Sequence, residues 1–64
     1  MINATCVKAN GSFTLLEDYE IIFNSDGAIT VLSDDGCYWF VSYQGDGYYG
    51  CRDSNGKEVS FLVE

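Results

Sequence analysis

Sixty-four residues amount to one small domain, spanning 1–64, and ten acidic residues against three basic ones, with no histidine, give a formal net charge of −7. A chain of this length buries only about 60% of the surface its unfolded form exposes, which leaves no room for a substrate domain, a lid and a catalytic core together. Lys8, Arg52 and Lys57 are too few and too scattered to neutralise phosphates, so direct contact with nucleic acid or an anionic membrane is disfavoured and a basic protein surface is the natural complement.

Ten aromatic residues argue for a folded domain rather than a disordered one, because each buries a large area. No apolar run approaches the roughly 20 residues of a membrane span. Met1-Ile2-Asn3 enters an alternating pattern with no basic or apolar leader, so the expected location is the cytoplasm. Cys6, Cys37 and Cys51 are widely spaced without a CxxC pair. The main expectation is three reduced, mostly buried thiols, with a Cys37–Cys51 or Cys6 bridge as the alternative. No structural zinc site and no cofactor are expected, and a nucleophilic cysteine would lack a histidine base.

In chain order, runs of β-forming residues lie at 3–9, 19–24, 28–33, 37–43, 48–52 and 57–63. Asn10-Gly11, Asp26-Gly27, Asp35-Gly36, Asp46-Gly47 and Asn55-Gly56 separate most of them, and Asx-Gly favours type I′ hairpin turns. The segment Ser12–Asp18 reads as an irregular loop whose Phe13 and Leu15 or Leu16 tuck into the core, with a helix of one or two turns as the alternative. The predicted fold is therefore all-β, a small five- or six-stranded antiparallel meander closed into a barrel, which also removes exposed sheet edges.

Strand parity assigns the faces. Tyr19, Ile21 and Phe23 are expected inside, as are Val59, Phe61 and Val63. In the fourth run Cys37, Trp39, Val41 and Tyr43 oppose Tyr38, Phe40 and Ser42. If the Trp39 face is core, Tyr38 and Phe40 stand outside, beside Tyr48 or Tyr49 on the next strand. A shift of twenty residues aligns two similar hairpins, which needs no duplication.

The carriers of this pattern are Thr5-Cys6-Val7, Phe13-Thr14-Leu15, Tyr19-Glu20-Ile21-Ile22, Asp26-Gly27, Thr30-Val31, Asp34-Asp35-Gly36 and Trp39-Phe40. Together they resemble the very small SH3-like barrel proteins of phage and bacterial genomes, over residues 5–41. Where that family carries Gly-Lys before the tyrosine, this chain has Leu16-Glu17-Asp18, and the segment 42–64 adds an aromatic hairpin that does not map onto it. The resemblance implies an SH3-like barrel and a phage or mobile-element setting, and so the cytoplasm of a host cell, and it brings no catalytic residues.

Carboxylates are the only unusual chemistry. Aspartate and asparagine suit tight turns and net charge favours solubility. The functional alternative is an array of Glu17, Asp18, Glu20, Asp34, Asp35 and Asp46 that imitates a polyanion and occupies the nucleic-acid site of a basic partner. Tyr38, Phe40, Tyr48 and Tyr49 would anchor it, since tyrosine is enriched at interfaces; core packing or a homodimer seam is their other use. Asn24-Ser25-Asp26-Gly27 and Asp53-Ser54-Asn55-Gly56 are fragments of calcium loops without the full ligand set. Asp34 and Asp35 are adjacent in a turn, which does not suit a hydrolase pair. The expected function is a non-enzymatic phage-type inhibitor of a host nucleic-acid-handling defence protein, a nuclease or CRISPR effector, acting in anti-restriction or anti-CRISPR fashion. A structural or adaptor barrel that works by homo-oligomerisation is the alternative.

Overall fold

Alternation of apolar and polar residues over short runs dictates strands, and strands are what form. The computed structural model describes residues 2–63, and its regular elements are β1 (Ile2–Lys8), β2 (Asp18–Phe23), β3 (Ile29–Leu32), β4 (Tyr38–Phe40), β5 (Ser42–Gly45), β6 (Tyr48–Arg52) and β7 (Glu58–Leu62). They make one antiparallel sheet in the order β4-β3-β2-β1-β7-β6-β5. Each strand pairs with its sequence neighbour except at two places. β1 pairs with β7, bringing the two ends of the chain together (Thr5 opposite Leu62, Cys6 opposite Phe61). β4 and β5 lie on opposite edges of the sheet, although only Val41 separates them.

That single residue explains why there are seven strands rather than five or six. The expected continuous run 37–43 changes partner at Val41. The Val41 N–H donates to the Ile29 carbonyl on the β3 side at 2.9 Å, whereas the next residue, Ser42, pairs with Gly50 on β6. One bent segment thus supplies both edges and nearly closes the sheet into a barrel.

Turn chemistry sets the register. Only Asp46-Gly47 has positive φ at both residues, 53° and 85°, as a two-residue type I′ turn requires. The expectation of type I′ at the other Asx-Gly pairs is corrected. Ser25-Asp26-Gly27, Asp34-Asp35-Gly36 and Ser54-Asn55-Gly56 are three-residue loops that share one bonding pattern. In each, the glycine N–H donates to the carbonyl of the residue preceding the loop (Asn24, Ser33 and Asp53 respectively) at 3.0, 3.1 and 2.9 Å. In these loops only the glycine takes the left-handed conformation, the arrangement of a type I turn followed by a bulge. The twenty-residue echo therefore joins two different turns, Asp26-Gly27 and Asp46-Gly47.

Inward-facing residues follow parity through most of the barrel. Ala4, Cys6, Ile21, Val31, Val41, Val59 and Phe61 are buried, and Trp39, Tyr19 and Val63 pack partly against them. Phe13 leaves its loop and plugs the upper end, 3% exposed. Its ring sits edge-on to Tyr19, Trp39 and Phe61 at centroid distances of 5.1, 5.6 and 5.0 Å, a geometry that adds about 0.5–1.5 kcal/mol per pair beyond area burial.

Several expected core positions are not buried. Leu15 and Leu16 are exposed, because the loop backbone is committed to β1. The Leu16 N–H donates to the Cys6 carbonyl at 2.8 Å and the Cys6 N–H donates to the Glu17 carbonyl at 2.9 Å. These bonds, with Leu16 at φ 69°, turn the leucines outward. Phe23 has inward parity but ends β2 at the lower mouth of the barrel, where its half-exposed ring meets Tyr49 at 6.0 Å. Tyr43, at the same mouth, is also exposed and lies 5.0 Å from Tyr49. Cys37 precedes β4 and is exposed.

Candidate functional site

Pairing fixes which loops share an end. The β1–β2, β3–β4 and β6–β7 loops gather at the upper end, and the β2–β3 and β5–β6 turns lie at the lower end. Glu17, Asp18, Asp34 and Asp35 therefore come together above, and Glu20 stands exposed on β2 opposite Asn3. Asp46, grouped with them by the sequence reading, sits in the turn at the opposite end.

The upper loops are held by a network centred on Asp34. Thr14 Oγ1 donates to Asp34 Oδ2 and the Tyr19 hydroxyl donates to Asp34 Oδ1, both at 2.7 Å. The Thr14 N–H donates to the Tyr19 hydroxyl oxygen at 2.7 Å, and the Asp34 N–H donates to the Ser12 carbonyl at 3.0 Å. The hydroxyls of Thr14 and Tyr19 stabilise the carboxylate and hold its pKa below the ordinary value. Burial pushes the Tyr19 phenol up, and the Asp34 charge adds to this. Asp34 thus clamps the β1–β2 loop onto the β3–β4 loop. Asp18 and Asp35 also have internal partners, the Thr5 and Ser33 hydroxyls. Glu17 and Glu20 have no side-chain hydrogen bond among the described residues, and both are exposed.

The charge distribution is more ordered than the acid positions alone suggest. No lysine or arginine lies between residues 9 and 51, and that span holds seven of the ten acidic residues. The remaining segments carry Lys8, Arg52 and Lys57 against Asp53, Glu58 and Glu64. Along the sequence, residues 1–8 and 52–64 carry no net formal charge, and the whole excess of −7 falls within residues 9–51, which hold β2–β5, most of β6 and their loops. The one ion pair among the described residues, Lys8 Nζ to Glu58 Oε1 at 3.2 Å, lies on the balanced side.

The aromatic anchors divide into two groups. Tyr38 and Phe40 project from the outward face of β4, 62% and 73% exposed. They do not lie beside Tyr48 or Tyr49, because β4 pairs only with β3 while β6 lies between β5 and β7. Tyr48 faces outward opposite Leu62, and Tyr49 packs between Phe23 and Tyr43. Tyr38 and Phe40 instead border an open groove of about 540 Å³ with Ile22, Asn24, Asp26 and Thr30. Asn24, Asp26 and Thr30 were absent from the sequence-level site. The signal that could have found them is parity: Ile22 lies on the outward face of β2, Asn24 follows two residues later just past the strand, and Thr30 pairs with both Ile22 and Phe40.

The three cysteines are unpaired; Cys6 is buried, Cys51 half-buried and Cys37 exposed. Burial raises the pKa of Cys6 and Cys51, with the charge of Asp53 adding to the second, which disfavours the reactive thiolate. Among the described residues no group of three or more acidic or thiol ligands is placed to hold a metal ion. The carboxylates of the two calcium-like fragments serve their own turns. Asp26 Oδ1 accepts from the Ala28 N–H, and Asp53 Oδ1 accepts from the N–H groups of Asn55 and Lys57. No helix among the described residues is long and apolar enough to cross a membrane.

No family model, no curated protein and no solved structure matches the chain.

Proposed function

We propose that this chain is a non-enzymatic binding domain that docks its acidic side onto the basic nucleic-acid site of a partner protein. In its sharpest form the proposal is a phage-type inhibitor of a host defence nuclease or CRISPR effector, acting in the cytoplasm. An SH3-like assignment of the barrel belongs to the same proposal, supported by the resemblance over residues 5–41. The observation that carries the reading is the segregation of charge: the excess of −7 lies within residues 9–51. A one-sided anionic field steers encounter with a cationic surface. Glu17, Asp18, Glu20 and Asp35 would contribute most, with Asp34 held in place by its clamp and Asp46 outside the patch.

The test is capture from a bacterial lysate with the full chain, followed by displacement. The proposal expects bound nucleic-acid-handling proteins to leave on addition of duplex DNA, or at about 0.5–1 M salt where exposed charges are screened. It expects the variant E17Q/D18N/E20Q/D35N to capture none of them. A complex unchanged by salt and by duplex DNA would overturn it.

A second reading has its own observation. Leu32, Tyr38 and Phe40 are all exposed on adjoining strands, as a self-associating structural or adaptor barrel would require. A mass that rises with concentration in light scattering, and stays monomeric in F40A, would favour that reading.

A further inference from the structure

We propose that the groove on the outward face of β2, β3 and β4 receives an arginine side chain from a basic protein segment. This deepens the reading above and rests on it, because it names what the basic partner inserts.

The argument starts from what the groove offers. Phe40 and Tyr38 leave most of their surface in water, apolar area whose burial against a ligand would be favourable. Beside the hydroxyls of Ser25, Thr30 and Tyr38, the groove presents two acceptors, from Asn24 and Asp26. Both amide hydrogens of Asn24 are used: Nδ2 donates to the Ala28 carbonyl at 3.1 Å and to Thr30 Oγ1 at 3.2 Å. A carbonyl can only accept, so this bond fixes the amide orientation and leaves Asn24 Oδ1 as an open acceptor. Asp26 spends Oδ1 on the Ala28 N–H at 3.0 Å, and its second oxygen has no hydrogen-bond partner among the described residues. Glu20 stands one outward position above Ile22 on the same strand and adds negative charge.

Acceptors, negative charge and flat rings select among ligands. A phosphate or carboxylate would meet repulsion from Asp26 and Glu20, and its only side-chain donors among the lining residues would be the neutral hydroxyls of Ser25, Thr30 and Tyr38. A guanidinium carries five donors and no acceptor, and its plane stacks on aromatic rings. An ammonium satisfies the charge but lacks the planar face, so arginine should exceed lysine. Among the described residues nothing competes, since no lysine or arginine lines the groove. A second copy is a poor occupant: it brings a charge of −7 and a single arginine, Arg52.

The experiment titrates the isotopically labelled full chain with a capped Gly-Gly-Arg-Gly-Gly peptide and follows amide resonances. Matched peptides carry lysine or the neutral isostere citrulline at the centre. The arginine peptide should shift residues 22–28 and 38–40, the lysine peptide should bind more weakly, and citrulline should shift nothing. F40A and D26N should each weaken binding about tenfold, the loss of one ring or one charge contact. D26N keeps an oxygen for the Ala28 N–H, so it carries the test if F40A loses its dispersed spectrum. E17Q should change binding little. Shifts confined to the loops of Glu17–Asp18 and Asp34–Asp35 would overturn the groove assignment and leave the acidic-side proposal standing. An equal response to citrulline would likewise overturn the assignment. No shift anywhere, with an arginine-rich peptide as well, would remove both.

Discussion

The two walls of this barrel are built from the same kind of strand and differ in what they turn toward water. The wall of β1 and β7 contributes Ala4, Cys6, Val59 and Phe61 to the core, and its formal charge balances. The wall of β2, β3 and β4 contributes Ile21 and Val31 inward, yet outward it shows Tyr38 and Phe40 and holds carboxylates without a cation. In a domain this small both walls must supply core, so what separates them is the face each turns toward water.

Breaking the structural wall should have the largest effect. Phe61 is fully buried and meets Phe13 and Tyr19 edge-on. F61A should cost about 3–5 kcal/mol, comparable to the whole stability of a domain of this length, so the cooperative thermal transition should disappear from circular dichroism. F40A removes the same side chain from the other wall and should move stability by no more than about 0.5 kcal/mol. Similar losses from both would mean the walls do not differ as described.

Y19F tests the join between the walls, because the Tyr19 ring lies against Phe61 while its hydroxyl links Thr14 to Asp34. Losing that hydroxyl should cost about 1 kcal/mol in urea unfolding. The Asp34 clamp adds a pH dependence of defined sign. Its pKa in the fold lies below 3.8, so its contribution is present above that value and is lost as pH falls through the lower one. Urea midpoints of the wild type should fall in that acid window, and D34N should show a smaller fall. The smallest effect belongs to the exposed Lys8–Glu58 pair: K8A should change stability by under about 0.5 kcal/mol, and by less in salt.

Much of the fold was legible in the sequence. Alternation placed Val59 and Phe61 inside, and the Asx-Gly pairs marked most of the turns. Two features were hidden for physical reasons. A strand that changes partner at Val41 keeps the residue pattern of one continuous strand, so the seventh element leaves no trace in composition. Turn type depends on whether the residue before glycine adopts positive φ, which Asp46 does and Asp26, Asp35 and Asn55 do not; both classes read alike as Asx-Gly. At the candidate site the exposed aromatics Tyr38 and Phe40 were expected, but their neighbours were not. Adjacency across β2–β3–β4 follows only once the strand order is known, and that order separates Tyr38 and Phe40 from Tyr48 and Tyr49. Asp34 was expected to face a partner, whereas both its oxygens serve the loops around it.

The most direct measurement is a map of surface potential by amide paramagnetic relaxation, comparing a cationic nitroxide with a neutral one. The cationic probe should enhance relaxation across residues 17–35 and little at residues 52–60. Equal enhancement over both walls would contradict the account.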